Sequence, residues 1–357
     1  MLVVSGYLHD APETPTAIEL HDPAPVLCAG GWGVCAALRS SGSLLIWDGS
    51  GTENELARPA GMVAGLACAA LGWDFVVGAD HDGGVVAWGW NGCGQVARGS
   101  WGDEAAEGMD YADRPQKWGL LAEGVKVEEI AAGEGHVLAL AAGGMVWSWG
   151  CGANGQLGTG RRDNTSCPQC VLVPDASSPH GCQPCKQVAC GIRHSVALLA
   201  DGQVSCWGWS LYGQCGQGST SDVLSPTIVA DLGGLMVTHV GAGLGHTTAC
   251  TDAGAVYVWG TNGEGQLGVE GRSAFHATLL ESPVLDSEDV VKVCCGARHT
   301  VALTRSKRAY SWGWDEYGQL GAGRGAEGGV DVRRVRDAAG PITDVSAGWW
   351  HTTMLVE

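Results

Sequence analysis

A chain of 357 residues with 45% hydrophobic and 16% charged residues has the composition of a folded globular protein and is excluded from the disordered class. Its formal charge of −18 excludes a function resting on a broad electrostatic grip on nucleic acid or anionic lipid, because both need clustered Lys and Arg. The 15 cysteines are an odd number and many sit in apolar runs such as 188–191 (VACG) and 293–296 (VCCG), which fits buried reduced thiols better than a disulfide framework.

The first ten residues, MLVVSGYLHD, carry neither a basic region nor a long apolar run, so no secretory signal is expected. The expected compartment is intracellular, the cytoplasm or the nucleus. Residues 2–7 (LVVSGY) read as a strand. Two sequence elements then alternate along the chain. The first is a glycine followed three residues later by histidine: GEGHV at 133, GIRHS at 191, GLGHT at 243, GARHT at 296 and GWWHT at 348, with degenerate copies GWGVC at 31 and GWDFV at 72. The second starts at a tryptophan and reads WGWNGCGQV from Trp88, WGCGANGQLG from Trp149, WGWSLYGQCG from Trp207, WGTNGEGQLG from Trp259 and WGWDEYGQLG from Trp312, with a worn copy, WDGSGTENEL, from Trp47.

From each leading glycine to the following tryptophan the separation is 16 in all six cases, whereas successive glycines lie 41 to 61 apart. Sixteen residues suit a hairpin: an apolar strand such as HTVAL, a turn such as LADGQ (199–203), and a strand ending in Trp-Gly. The constant hairpin with variable connections is the mark of a repeat architecture, and a unit of about fifty residues matches a four-stranded propeller blade. Seven copies predict an all-β, seven-bladed β-propeller of four-stranded antiparallel blades occupying residues 1–357 as one domain. The seventh glycine, Gly348, has nine residues after it, so residues 2–7 are expected to complete the last blade, with Ser5 where the other copies have Trp. Such closure removes two exposed sheet edges. The tryptophans are expected to pack the seams between blades.

Three stretches stand apart from the repeat. Residues 130–149 are apolar enough to resemble a membrane span, but the glycines at 133, 135, 143 and 144 cut them into two strand-length pieces, so no membrane insertion is expected. Residues 97–124 are predicted as an acidic inter-strand insert, a candidate protruding contact loop with Trp101 and Trp118, and residues 159–187 as a cysteine-containing inter-strand loop. In the latter, Cys167, Cys170, Cys182 and Cys185 form Cys-x2-Cys-x11-Cys-x2-Cys, a spacing that suits a structural zinc. The phosphate-type fingerprint at 150–155 (GCGANG) runs into Gly-Gln-Leu-Gly rather than a helix, so nucleotide binding is not expected there. Asn164-Thr165-Ser166 has the form of a glycosylation sequon, idle without a secretory signal.

The Gly-x-x-His-Thr and Trp-Gly-x-x-x-x-Gly-Gln-Leu-Gly elements resemble the regulator of chromosome condensation repeat, which builds seven-bladed propellers, and the resemblance spans essentially the whole chain. The variants WGWN and WGWDEYGQLG are most similar to small single-propeller members of the secretion-regulating exchange-factor-like kind. Five equivalent histidines, His136, His194, His246, His299 and His351, cannot all be catalytic, and each is expected to hold backbone groups of its own blade. The resemblance implies that the two residues between each Gly and His lie on one face of the disc, where partners dock. Those pairs include Trp32-Gly33, Trp73-Asp74, Ile192-Arg193, Ala297-Arg298 and Trp349-Trp350. Ring closure would gather Trp349, Trp350, Trp32 and Trp73 over adjacent blades, and Trp and Arg are the residues that dominate interface hot spots. The partner-binding candidates are therefore Trp32, Trp73, Asp74, Arg193, Arg298, Trp349 and Trp350. A basic cluster of Arg305, Lys307, Arg308, Arg324, Arg333, Arg334 and Arg336 could receive an acidic partner.

The expected function is a non-enzymatic interaction scaffold docking a protein, in a larger assembly or not. The resemblance also permits guanine-nucleotide exchange on a small GTPase, although no wedge residue that would displace nucleotide can be matched. Similarity to the plant ultraviolet-B receptor raises tryptophan-based light sensing, but that receptor follows its tryptophans with arginines. Here Trp349, Trp32 and Trp73 are followed by Trp350, Gly33 and Asp74. Chromatin binding through a basic N-terminal tail is not expected, because the tail is absent from this sequence.

Overall fold

The computed structural model describes residues 2–6, 16–18, 26–28, 35–38, 43–47, 65–96, 111–121, 124–175, 178–322, 328–336, 338 and 340–357. It is an antiparallel β-structure in which each hairpin predicted by the repeat forms the middle of a sheet. In the blade of His136, the strands Val127–Ala132, His136–Ala141, Met145–Gly150 and Thr165–Val171 pair in that order. The hairpin register sets His136 opposite Gly150 and Val137 opposite Trp149, and the same register recurs at His194–Gly208, His246–Gly260 and His299–Gly313. The apolar stretch at 130–149 is thus divided between strands, and no helix among the described residues is long and apolar enough to cross a membrane.

Circular closure is present. Leu2–Gly6 lies between His351–Val356 and Thr16–Ile18, with Gly6 opposite His351 and Ser5 opposite Thr352, so Ser5 occupies the register position that Trp149 holds in its own blade. The number of blades, however, departs from expectation. Six sheets of four strands are present among the described residues, and the repeat beginning at Gly31 contributes a three-stranded sheet of Val26–Cys28, Cys35–Leu38 and Leu44–Trp47. The seven-bladed reading is corrected to six four-stranded blades. Counting motifs counted hairpins; the copy at Trp47 lacks the Gly-Gln pair that the other five copies keep, and residues 48–64 lie outside the described residues.

Both irregular stretches hold strands. Tyr111–Leu120 of the acidic insert is the outer strand beside Gly84–Trp90, and residues 97–110, with Trp101, lie outside the described residues. Residues 159–187 contain the outer strand Thr165–Val171 and a small hairpin of Pro174–Asp175 with Ser178–Cys182.

The core lies between blades. Trp149, Trp207, Trp259 and Trp312 are fully buried. The indole Nε1 of Trp149, Trp207 and Trp259 donates to the backbone carbonyl of Gln95, Gln156 and Gln214 in the preceding blade, at 2.9 Å each. Each of these glutamines knots its own turn by accepting, through Oε1, the backbone N–H two residues earlier. The last glycine of Gly-Gln-Leu-Gly completes the seam: a Cβ on Gly158 would come within 2.8 Å of the Trp207 indole nitrogen. An indole removes on the order of 150 to 250 Å² from water when buried, so these rings dominate inter-blade packing.

Candidate functional site

Gly-x-x-His is a structural device whose partner lies in the next blade. The ring of each histidine lies against its own leading glycine, so that a Cβ on Gly133, Gly191, Gly243, Gly296 or Gly348 would overlap the imidazole. The ring nitrogen Nε2 then meets a hydroxyl on the next blade: His136 with Ser195 at 3.1 Å, and His194 with Thr247, His246 with Thr300 and His299 with Thr352 at 3.0 Å. Each hydroxyl donates in turn to a glutamine carbonyl, those of Gln156, Gln214, Gln266 and Gln319, at 2.7 to 2.8 Å. A hydroxyl that donates to a carbonyl must accept from Nε2–H, which fixes the neutral tautomer. Burial holds His136, His194, His246 and His299 down at about 3, and His351 at about 4. The expectation that each histidine binds backbone groups of its own blade is corrected for His136, His194, His246 and His299, whose Nε2 hydrogen bonds cross the seam to a side chain.

The degenerate copy GWDFV obeys the same geometry with different chemistry. Phe75 lies against Gly72 as the histidines lie against their glycines, and the position that carries Ser or Thr in the four hydrogen-bonded seams is Val137. Both are buried in one hydrophobic cluster.

The residues between Gly and His lie on one face. Their backbones are laced together around the ring: Glu134 N–H donates to the Ile192 carbonyl, Ile192 to Gly243, Leu244 to Ala297 and Ala297 to Trp349, at 2.9 to 3.2 Å. The second residue of each pair also accepts from the residue after Trp-Gly: Asp74 from Trp90, Gly135 from Cys151, Arg193 from Trp209 and Arg298 from Trp314, at 2.7 to 2.9 Å. Trp90, Trp209 and Trp314 therefore join the face. Sequence reasoning missed them, although the 16-residue spacing places the residue after Trp-Gly beside the residue before His once the hairpin register is drawn.

Among the candidates, Trp73 packs edge-on against Trp349 with centroids 4.7 Å apart, and Trp349 also lines an axial cavity of about 290 Å³. Trp350 turns the other way, edge-on to Trp314 at 5.1 Å. Trp314 continues the cluster to Tyr317 at 5.2 Å and carries the Arg298 guanidinium 5.8 Å from its ring centre. The indoles expected as one group thus form two, each half-buried; Trp32, with Gly33, lies outside the described residues. Asp74 is exposed beside Trp73. Arg193 pairs with Glu134 of the neighbouring blade at 2.6 Å, and Arg298 with Glu264 at 3.1 Å.

Inside the channel, each of six innermost strands has an irregular register before its third residue, and these residues, Cys68, Glu129, Gln187, His239, Lys292 and Asp344, share one level. Gln187 holds both backbone groups of Val240 at 3.0 Å, and Lys292 bridges to Asp344 at 2.5 Å. Burial raises the Glu129 carboxyl to about 7 and lowers His239 to about 3.

The other motifs resolve less sharply. Cys167 and Cys170 lie on the strand Thr165–Val171, Cys182 is exposed and Cys185 buried. Among the described residues no group of three or more His, Cys, Asp or Glu is placed to hold a metal ion. The basic cluster is largely answered within the chain: Arg305 by Asp289, Lys307 by Glu357, Arg308 by Glu288 and Arg333 by Asp331. Arg324 lies outside the described residues.

Repeated hairpins, a closed ring and a face built from the loops before each histidine define a β-propeller of the regulator of chromosome condensation kind. Residues 6–354 match the RCC1-like domain, and the chain belongs to that family. It is 33% identical over 275 residues to the ultraviolet-B receptor UVR8 of Arabidopsis thaliana, covering 76% of this chain and 58% of that protein. It is 37% identical over 226 residues to the E3 ubiquitin-protein ligase HERC2 of Homo sapiens, covering 62% of this chain and 5% of the ligase. The chain thus spans less than two thirds of the length of these relatives. Among solved structures, human WBSCR16 superimposes with a TM-score of 0.81 at 21% identity, covering 100% of this chain and 98% of that one. Prp20p of Saccharomyces cerevisiae, described with its binding properties to Gsp1p and histones, gives 0.78 at 20% identity, covering 99% and 90%. At such identities the likeness shows the fold.

Proposed function

We propose that the chain is a non-enzymatic docking platform, whose face of tryptophan and arginine side chains on rigid inter-strand loops receives a partner protein. One observation carries the reading: Trp350, Trp314, Tyr317 and Arg298 form a contiguous, half-buried aromatic and cationic cluster on loops that hydrogen bonds lace into a ring. Aromatic and arginine anchors held without conformational freedom are what interface hot spots require, because little entropy is lost when they are covered. His136, His194, His246 and His299 of the repeat are buried, held neutral by that burial and committed to the seams. Ligase activity in the long relatives is a property of whole proteins of which this chain matches a small part.

Affinity capture from native cell extract tests the reading. Tagged wild-type chain should retain a partner that Trp350→Ala and Trp314→Ala lose by tenfold or more, with the fold intact by circular dichroism. Equal capture by all three would sink it. The exchange-factor alternative is tested by nucleotide release from a panel of small GTPases, where acceleration would replace the platform with a catalyst of exchange. Light sensing is supported less well: Arg193 and Arg298 are engaged by Glu134 and Glu264 of the same chain.

A further inference from the structure

On the same face, one seam carries chemistry that docking does not use. Cys93, in the turn after Trp88, and Cys151, the residue after Trp149-Gly150, come from adjacent blades and face each other across Gly135. A methyl group placed on Gly135 would lie in ordinary contact with Cys151 Cβ and the Trp90 ring at 3.4 Å each and with the Cys93 sulfur at 3.9 Å, so both cysteines border the same small space above Gly135. Both turns are pinned. Cys151 N–H donates to the Gly135 carbonyl at 2.7 Å and Cys93 N–H to Gln95 Oε1 at 3.0 Å. Neither thiol is fully buried, and both are free.

We propose that Cys93 and Cys151 are a modification site, a dithiol that hydroperoxides oxidise to a reversible disulfide joining two blades. One contact sets the two sulfurs apart, the Ala153 backbone N–H that donates to Cys151. Interaction with the Cys93 thiol, the Ala153 backbone N–H and the Arg193 guanidinium hold the Cys151 thiol below the usual range, whereas Cys93 is pushed up. The remaining displaced thiols among the described residues, such as Cys68, Cys250 and Cys295, are all shifted upward, chiefly by burial. A thiolate is the nucleophile and a buried neutral thiol is inert. Cys151 therefore attacks the peroxide: a sulfur–oxygen bond forms as the oxygen–oxygen bond breaks, and the departing hydroxide or alkoxide takes a proton. Cys93, losing its proton, then attacks the sulfenic sulfur, forming the disulfide as water leaves. Two thiols give up two electrons and two protons, and hydrogen peroxide is reduced to two waters. A cellular dithiol returns the pair by exchange.

The experiment is a titration of the intact, reduced chain with hydrogen peroxide, followed by non-reducing peptide mapping. The first cross-link to appear should join Cys93 to Cys151, with loss of two hydrogens in mass and full reversal by dithiothreitol. With Cys93→Ser, a sulfenic acid should persist at Cys151 and be trapped by dimedone. Cys151→Ser should lower the rate of thiol loss at position 93 by tenfold or more, and Arg193→Gln should shift the alkylation profile of Cys151 to higher pH. Oxidation that leaves this pair reduced while other cysteines react, or a first cross-link elsewhere, overturns the proposal. The mapping of the wild-type chain decides the matter even if a variant fails to fold.

Discussion

The seam between the blades of His194 and His246 and the seam between the blades of Phe75 and His136 solve one packing problem with different chemistry. In the first, an imidazole meets Thr247, whose hydroxyl passes the hydrogen bond to Gln214. In the second, Phe75 stands where the imidazole would be and Val137 where the hydroxyl would be. At this seam the two positions change together, so its packing is met by a matched apolar pair in place of a matched polar one. A buried polar ring needs a partner because an unsatisfied donor costs its full desolvation, whereas two apolar groups of similar shape cost little.

Acid should break the comparison most strongly. His136, His194, His246 and His299 have folded-state values near 3, and His351 near 4, against an ordinary 6.5. Because these values are depressed, the unfolded chain binds protons first as pH falls. The stabilisation is therefore complete above pH 6.5 and is lost progressively toward pH 3 to 4. Each histidine costs about 1.4 kcal/mol for every pH unit below 6.5. The Phe75 seam has no such dependence. Glu129 works with the opposite sign: its carboxyl is raised from 4.5 to about 7, so it favours the folded state in acid and costs stability as pH climbs through that window. Urea unfolding between pH 4 and 8 should show stability falling steeply on the acid side.

Next in size is Thr247→Val, which strands the Nε2–H of His194 and should destabilise by about 1 to 3 kcal/mol. Adding His194→Phe should return part of that loss, because it rebuilds the Phe75–Val137 pairing. A double-mutant cycle in urea that shows no coupling would refute the matched-pair account. The converse, Phe75→His, should cost a similar amount alone and less with Val137→Thr, whose hydroxyl would face the Gln95 carbonyl. The smallest effect belongs to Arg193→Gln. The Arg193–Glu134 pair is half-exposed, and such pairs contribute about 0 to 1 kcal/mol, less still in high salt.

How much of this could be read from residues follows from where each interaction lies along the chain. The hairpin from Gly133 to Trp149 is local, so its register, its turn and the pairing of His136 with Gly150 follow from the 16-residue spacing. Closure through residues 2–6 was legible because one half-blade lacked its partner. The repeat at Gly31 misled because a hairpin motif was counted as a blade, and three strands of that sheet pair among the described residues. At the face, the aromatic packing was only partly legible: Trp349 meets Trp73 across the closure, whereas the neighbouring Trp350 packs on Trp314. Trp314 itself was quoted in the motif yet not placed on the face, because its position depends on a backbone bond to Arg298.

Sequence by itself determined the repeated hairpin, the family, the closed ring and the loops that make a face. Each of these rests on periodic local pairing, which glycine, tryptophan and turn residues encode within a few tens of positions. Only the tertiary structure decided that His194 speaks to Thr247, that Cys93 meets Cys151 and that the channel gathers one residue from each of six strands. Those partners lie about fifty residues apart, and what brings them together is the lateral packing of whole blades, whose geometry no single repeat contains.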